Sequence, residues 1–263
     1  MSKARLIAIR SVVFSLFNLT VFLPSHAATT TATMTLLKKL SVAPEHTFGY
    51  NRNLFKHWID SDNDGCNTRK EVLLVEAVVK PKEYSSCTLT GGRWKSTYDN
   101  KIFTSFSALD IDHMVPLSEA WQSGAYRWDS KTRESYANDL GFSRSLIAVS
   151  ATTNRAKGDQ DPYLWMPPNR SYWCQYVNDW IAVKYRWGLT VDPTEKRDLV
   201  RRVSACGKQA KTLLPVKASR HFSSSSAQSS ANSVTNSNQQ HSQSGLDPRF
   251  SSCSKAKAAG YGP

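Results

Sequence analysis

Two stretches decide the fold: LDIDHMVPL at residues 109–117 and LIAVSATTNRAKGD at residues 146–159. The first predicts a short strand from Leu109 to Val115 that enters a loop at a proline. The second opens with four apolar residues, which predict another short strand, and continues into a helix expected to begin near Asn154. The order is therefore strand, loop, strand and helix, with an Asp-His pair on the first strand.

Helical patterns surround this unit. Residues 131–140 are predicted to be helical, and the longest amphipathic helices are expected over 172–187 and 194–206. Residues 50–59 are interpreted as a short helix with its apolar side chains on one face. All eight tryptophans lie between Trp58 and Trp187 and mark the folded part of the chain. The aromatic side chains at helical spacing over 173–185 are typical of core packing.

Three elements match a known motif in order. They are Asp112-His113 on the first strand, Asn138 in the connection, and Asn154-x-x-Lys157 on the following helix. Together they resemble the HNH, or ββα-metal, endonuclease motif. Residues 48–210 resemble secreted HNH endonucleases related to the C-terminal nuclease domain of GmrSD-type modification-dependent restriction enzymes. The resemblance implies an α+β fold with a ββα-metal core inside a mainly helical, disulfide-containing domain.

The chemistry of phosphodiester hydrolysis explains these residue types. A base must take a proton from water, and histidine is suited to this near neutral pH. A hard divalent ion prefers oxygen ligands, so Asp112 and the amide of Asn154 are expected to hold Mg²⁺ or Mn²⁺. By resemblance, His113 is the general base and Asn138 braces the loop or His113. Lys157, together with Arg155, is expected to contact phosphate.

Each of these residues also has a simpler interpretation. An Asp-His pair is common at surfaces and in cores, and Asn138-Asp139 is also typical of an ordinary helix C-terminus. Arg155 and Lys157 fit a solvated helix face equally well. The three matched elements in order favour the nuclease interpretation.

A second constellation is DSDNDG at residues 60–65. Asp60, Asp62 and Asp64, with Glu71 at the twelfth position, fit the loop pattern of an EF-hand and predict a candidate structural Ca²⁺ site. The simpler interpretation is an Asp-rich turn braced by Arg69.

The charge balance narrows the function classes. The 263-residue chain has 34 Lys plus Arg against 21 Asp plus Glu, a formal net charge of +13. Such an excess favours polyanionic partners, and the proposed substrate is nucleic acid, double-stranded DNA first. The expected protein is a monomeric endonuclease with little sequence specificity. The alternatives are a modification- or structure-selective nuclease, and a secreted protein that binds DNA or another anionic polymer without cleaving it.

The N-terminus indicates export. Residues 1–27 have a basic start, an apolar run and Ser-His-Ala at the end, as a secretory signal peptide does, so no membrane span is expected after cleavage. The protein is then extracellular or periplasmic, where disulfides form. Four of the five cysteines lie in the aromatic-rich region and allow three pairings, and short loops favour Cys66 with Cys87 and Cys174 with Cys206, which leaves Cys253 without an evident partner.

The remaining boundaries follow from composition. Residues 28–44 are interpreted as a flexible lead-in, 45–212 as the nuclease domain and 213–245 as a Ser-rich disordered linker. Residues 246–263 resemble the first half of an excalibur domain. Residues 218–263 are expected to be dispensable for catalysis.

Overall fold

The computed structural model describes residues 29–223, which form seven α-helices and eight strands. The helices are α1 (Thr33–Lys39), α2 (Thr68–Glu76), α3 (Leu117–Gln122), α4 (Ser130–Ala137), α5 (Ala151–Lys157), α6 (Trp173–Trp187) and α7 (Pro193–Cys206). The strands are β1 (Thr30–Ala32), β2 (Lys82–Tyr84), β3 (Thr88–Thr90), β4 (Trp94–Lys95), β5 (Ile102–Phe103), β6 (Leu109–His113), β7 (Leu146–Ser150) and β8 (Lys211–Leu213). They pair in four two-stranded antiparallel sheets, β1 with β8, β2 with β3, β4 with β5, and β6 with β7.

The predicted strand-strand-helix unit consists of β6, β7 and α5. Leu109 lies opposite Ser150 and His113 opposite Leu146, and α5 follows β7 directly. The α+β fold class is confirmed. Helix α5 begins at Ala151 rather than near Asn154, so Asn154 lies within the helix instead of at its start.

Strand β7 is buried at all five positions because hydrophobic cores cover both of its faces. Ile147 and Val149 belong to the larger core, which is built around α6. Leu146 and Ala148 belong to a smaller core with α2 and β4. Side chains alternate between the faces of a strand, so consecutive residues of β7 enter different cores. This packing fixes the register of the strand that pairs with His113.

Helix α6 is the main support of the larger core. It carries a fully buried lysine, Lys184, whose ammonium lies 2.7 Å from Glu119 Oε1 and 2.6 Å from Glu195 Oε2. These contacts connect α6 to α3 and α7, and Ser123 Oγ accepts a further hydrogen bond at 3.0 Å. Removing one partner of a buried ion pair leaves a charge without compensation. We therefore expect substitution of Lys184, Glu119 or Glu195 to lower the stability of the fold.

Both predicted disulfides are confirmed. Cys66 and Cys87 connect the Asp-rich loop to the β2–β3 hairpin, and Cys174 and Cys206 connect the start of α6 to the end of α7. Loops of this length give about 3 to 4 kcal/mol of stabilisation each in the chain-entropy account. The α6–α7 pair is thus held covalently as well as by packing.

The ends of the described chain differ from the predicted boundaries. The proposed flexible lead-in contains β1 and α1, and Leu36 and Leu37 of α1 are fully buried in the larger core. Composition does not indicate these elements, because a Thr- and Ala-rich segment with few leucines resembles a linker. Only the structure shows that the leucines are buried. The proposed linker also starts too early, because residues 213–223 lie along the domain and Phe222 forms a β-bridge with Trp128.

The predicted helix over 50–59 is also wrong. Only one short 3₁₀ turn forms there, Arg52–Leu54, and Phe55 is buried while Trp58 has a positive φ of 60°. Between Thr29 and Ser223, no helix has both the length and the apolar character required to cross a membrane. The predicted signal peptide, most of the Ser-rich segment and the excalibur-like end lie outside the described residues.

Candidate active site

His113 lies at the end of β6 and is 7% exposed. Its Nε2 is 2.9 Å from the carbonyl oxygen of Ala137, the last residue of α4. A carbonyl oxygen only accepts hydrogen bonds, so this contact assigns the ring hydrogen of the neutral imidazole to Nε2. The lone pair is then on Nδ1, the nitrogen that is free to take a proton.

Burial controls the charge of this ring. Desolvation lowers the pKa of His113 from 6.5 to about 3, although the Ala137 carbonyl acts in the opposite direction. The imidazole is therefore neutral at physiological pH. Trp58 and Tyr136 flank the ring, with centroids 5.6 Å and 6.4 Å away. These aromatic rings account for much of the apolar surroundings.

The neighbouring Asp112 is held from two sides. Its Oδ2 accepts hydrogen bonds from Lys157 Nζ and from the hydroxyl of Tyr98, each at 2.5 Å. Burial raises the pKa of Asp112, whereas Lys157 and Tyr98 favour its charged form. Its side chain is 6% exposed. The carboxylate is thus part of a buried ion pair, and its described partners are on the α5 and Tyr98 side.

Lys157 does not face solvent, as the motif predicts, but is buried among partners on β6. Its side chain is fully buried, and its ammonium donates to Asp112, to the carbonyl of His113 at 2.9 Å and to the carbonyl of Met114 at 3.0 Å. An ammonium has three hydrogens, so all of them are used. The predicted phosphate contact through Lys157 is therefore wrong for this structure, and the residue instead fastens α5 to the end of β6.

Asn154 has a different partner on β6. Its Nδ2 lies 3.2 Å from Oδ2 of Asp110, and Arg155 Nε lies 3.5 Å from the same oxygen. The Asp110 side chain is 27% exposed and that of Arg155 is 77% exposed. Asn154 therefore faces Asp110, one strand repeat away from the Asp112 position expected from the motif, and the pair lies at the solvent edge of the unit.

Asn138 connects the end of α4 to the Asp-rich loop. Its Oδ1 accepts from the amide of Ile59 at 3.1 Å and the hydroxyl of Thr68 at 2.9 Å. Its Nδ2 donates to the carbonyls of Lys56 and Glu134, both at 2.8 Å. All hydrogen bonds of the amide side chain thus go to protein, next to the Ala137 carbonyl that orients His113.

The Asp-rich loop brings its carboxylates together. Oxygens of Asp60, Asp62 and Asp64 lie within 4.8 Å of one another, and Asp64 also lies near Glu71. Gly65, at φ 95°, donates its amide to Asp60 Oδ2 at 3.0 Å. Burial and then the charges of Asp64, Asp62, Glu83 and Asp60 raise the pKa of Glu71.

Arg69 does not brace this loop. It donates instead to the carbonyls of Phe106 and Leu109, at 3.2 Å and 2.8 Å, and so supports the start of β6.

Four features of the site do not follow from the sequence motif: Asp110, Trp58, Tyr98 and the Ala137 carbonyl. Asp110 had a signal, because it lies two residues before Asp112 and so shares its face of β6. Trp58 and Tyr98 come from distant segments, and no local pattern indicates their contact with the Asp-His pair.

Fold and site together define an α+β protein built on a strand-strand-helix unit with an oriented, neutral histidine at its centre. A family model described as GmrSD restriction endonucleases, C-terminal domain, matches residues 70–202. The chain belongs to this family, which is a family of nucleases.

The chain is also similar to a curated protein that is described as secreted. An "Uncharacterized secreted protein" of Arthroderma benhamiae is 42% identical over 184 residues, which cover 70% of this chain and 89% of the relative. No solved structure matches the chain.

Proposed function

We propose that this chain is a secreted, metal-dependent HNH endonuclease that hydrolyses phosphodiester bonds of DNA with little sequence specificity. The observation that carries the proposal is the His113 ring, neutral and fixed with Nδ1 free, at the end of β6 in a chain of a restriction endonuclease family. Secretion is supported by the description of the relative, the two disulfides and the signal-like first 27 residues.

The residues of this chain have separate tasks. His113 accepts a proton from the attacking water at Nδ1, while the Ala137 carbonyl holds the Nε2 hydrogen and favours the imidazolium that forms. Lys157 fixes the strand end, and Asn138 holds the segment that carries the Ala137 carbonyl.

A divalent cation fits the donors at the open edge of the unit. The Asn154 amide oxygen and the carboxylates that β6 carries, Asp110 and Asp112, are hard oxygen donors, the kind that Mg²⁺ and Mn²⁺ prefer. When bound, such an ion supplies charge neutralisation at the phosphate and at the leaving 3′-oxygen, which corresponds to a 5′-phosphate product. Arg155, exposed beside this edge, is suited to contact phosphate.

The Asp-rich loop is proposed as a separate, structural Ca²⁺ site. Asp60, Asp62, Asp64 and Glu71 supply carboxylates at EF-hand spacing, and Gly65 has the positive φ that such a loop needs at its sixth position. The repulsion among these groups, which contributes to the raised pKa of Glu71, would be relieved by a cation.

The deciding experiment is cleavage of plasmid DNA by the disulfide-bonded protein with Mg²⁺, with and without EDTA. We expect nicking that EDTA abolishes, and a roughly 10² to 10⁴-fold lower rate in His113→Ala. His46→Ala is the matched control, because His46 stacks on Tyr126 outside the strand-strand-helix unit.

The melting temperature of each variant verifies folding, and His113→Asn repeats the test with a smaller change in volume. DNA binding without Mg²⁺-dependent cleavage would contradict the proposal and favour a binding protein. Cleavage confined to modified or branched duplexes would favour the selective alternative, and an RNA substrate included in parallel tests the preference for DNA.

A further inference from the structure

Trp58 differs from the tryptophans of the core in exposure and in hydrogen bonding. Five of the eight tryptophans donate the indole N–H to a protein acceptor: Trp94, Trp121, Trp173, Trp180 and Trp187. Trp58 packs against the smaller core but is only half-buried, and its N–H donates to no residue within 29–223. Part of this large aromatic surface, and its donor, is therefore available to a molecule from solution.

The backbone at Trp58 has a conformation that a bulky residue rarely adopts. Its φ of 60° lies in the left-handed region, which favours glycine. The Asn138 side chain fixes the chain on both sides of this residue, through the carbonyl of Lys56 and the amide of Ile59. Such a conformation costs free energy and persists only where the surroundings impose it, which is typical of sites that bind ligands or react.

The indole lies beside the proposed general base. Its ring centroid is 5.6 Å from that of His113, with 31° between the ring planes. The His57 ring packs edge-on against the same indole, with its centroid 5.3 Å away. The phosphate and the base of one nucleotide are joined by a single sugar. A phosphodiester that reaches His113 therefore brings an adjoining base to the neighbourhood of Trp58.

The segment that carries Trp58 also carries positive charge. Lys56 and Arg52 are exposed; Lys56 pairs with Glu134 at 3.3 Å, whereas Arg52 forms no ion pair in the described part of the chain. Burial is the main cause of the lowered pKa of His113, and the charge of Arg52 adds to it. Arg52 is thus close enough to act at the same site. Proteins that hold single strands combine cations for the phosphates with aromatic rings for the bases.

We propose that Trp58 stacks on the nucleobase next to the cleaved phosphodiester, and that the enzyme therefore prefers single-stranded or locally unpaired nucleic acid, with Arg52 on a neighbouring phosphate. The inference rests on the proposed nuclease function and specifies its substrate. Bases within a duplex stack on one another, so a base must leave the duplex before an indole can stack on it. Every base has a π-face, so this contact strengthens binding without reading the sequence.

The test is cleavage, with Mg²⁺, of an end-labelled DNA strand that contains one stable abasic nucleotide, resolved bond by bond on a sequencing gel. We expect wild-type protein to cut the bonds that flank the abasic position about tenfold less than the other bonds, because stacking on one base is lost. Trp58→Leu is expected to cut all bonds about equally and more slowly, because it stacks on no base. Trp58→Phe retains an aromatic face, so we expect it to retain the local deficit.

Trp173→Leu is the matched control. Trp173 is another half-buried tryptophan, which begins α6 and donates its N–H to the carbonyl of Pro167, so we expect the wild-type pattern in this variant. Bonds are compared within one lane, so a variant of lower stability still gives the ratio. Even cleavage through the abasic position by wild-type protein would overturn the inference, as would a deficit of wild-type depth in Trp58→Leu.

Failure of the inference is distinguishable from failure of the proposed function. If wild-type protein cuts the strand with Mg²⁺ but shows no deficit at the abasic position, only the stacking role of Trp58 is wrong. If wild-type protein cuts neither this strand nor its duplex, the proposed function fails.

Discussion

At the scale of single residues, His113 combines a fixed orientation with a strongly lowered pKa. Its Nε2 hydrogen is engaged by Ala137, so the proton-accepting atom is defined before substrate arrives. A pKa of about 3 makes a weak base in the free protein. A phosphate beside the ring would stabilise the imidazolium and raise this pKa, so we expect the base to gain strength when substrate binds.

The lowered pKa also predicts how stability depends on pH. Unfolded His113 has a pKa of 6.5 and the folded residue about 3, so between these values only the unfolded chain binds the proton. The unfolding free energy therefore gains up to about 1.4 kcal/mol per pH unit from this group as pH rises through the window, and the gain is complete above the unfolded pKa of 6.5. His113→Gln lacks this contribution.

We expect the stability advantage of wild type over His113→Gln to shrink by about 2 kcal/mol between about pH 7 and about pH 5. Urea unfolding at the two pH values measures it. The difference between the proteins cancels the buried acids Glu76 and Asp179, whose pKa values burial raises to about 7 and which act in the opposite direction. A pH-independent difference would show that the ring is not buried in its neutral form.

At the scale of elements, the strand-strand-helix unit is supported from outside by segments distant in sequence. Arg69 of α2 bonds carbonyls at the start of β6, and the Asn138 side chain connects α4 to residues just before the Asp-rich loop and to Thr68 of α2. The loop and the active strand thus share the supports α2 and α4. A cation that orders the loop would stabilise the same framework.

The Asp-rich loop gives a prediction of its own. Ca²⁺ relieves the repulsion among Asp60, Asp62 and Asp64, so we expect it to raise the melting temperature of EDTA-treated protein. At roughly a hundredfold excess over the dissociation constant the gain is about 2.7 kcal/mol. Scanning calorimetry with Ca²⁺, and with Mg²⁺ as the smaller-ion control, measures the effect. An equal response in Asp62→Asn with Glu71→Gln would rule out this loop as its source.

The elements also show what the sequence can predict. Strand β6 alternates apolar and polar residues, β7 is a short apolar run, and helices α6 and α7 are amphipathic. The helix ends are conventional, such as Asp192 and Pro193 at the start of α7, so the positions of these elements follow from local pattern. Helix α1 and the Trp58 turn depend on tertiary packing, which no local pattern contains.

The residues of the candidate site can be predicted from the sequence, whereas their side-chain directions cannot. His113, Asn138 and Asn154 are recognisable because their spacing along the chain carries the motif. The direction of each side chain cannot be recognised from the sequence. For this reason the motif predicts a phosphate contact for Lys157, whereas in the structure its ammonium points inward to Asp112.

At the scale of the whole molecule, the last described residues belong to the domain. The carbonyl of His221 accepts a hydrogen bond from the amide of Asp129, and the amide of His221 donates to the hydroxyl of Thr132, both at 2.9 Å. Ser223 donates its amide to the carbonyl of Arg127, also at 2.9 Å. Asp129 caps α4, the helix that ends at the Ala137 carbonyl. This final segment therefore holds the far end of the helix that orients His113.

We expect a chain ending at Ser223 to match the full-length protein in melting temperature and nuclease rate. A chain ending at Lys217 loses four hydrogen bonds to residues 127–132, because the Ser223 hydroxyl also donates to the carbonyl of Trp128. Together they are worth about 2 to 4 kcal/mol, and this chain is expected to melt roughly 5 to 10 °C lower. Thermal melts and plasmid nicking of the two chains measure this. Identical melts would mean that residues 218–223 do not support α4.

The pairing of β1 with β8 has a consequence for how the domain would come apart under force. Thr30 lies opposite Leu213, and Leu214 donates its amide to the carbonyl of Thr29, so the first described strand pairs with the strand that precedes residues 214–223. Those residues continue from β8 to Asp129, which caps α4. A pull on the two ends of the described chain would therefore load the β1–β8 pair and the contacts of residues 218–223 before it reached the core.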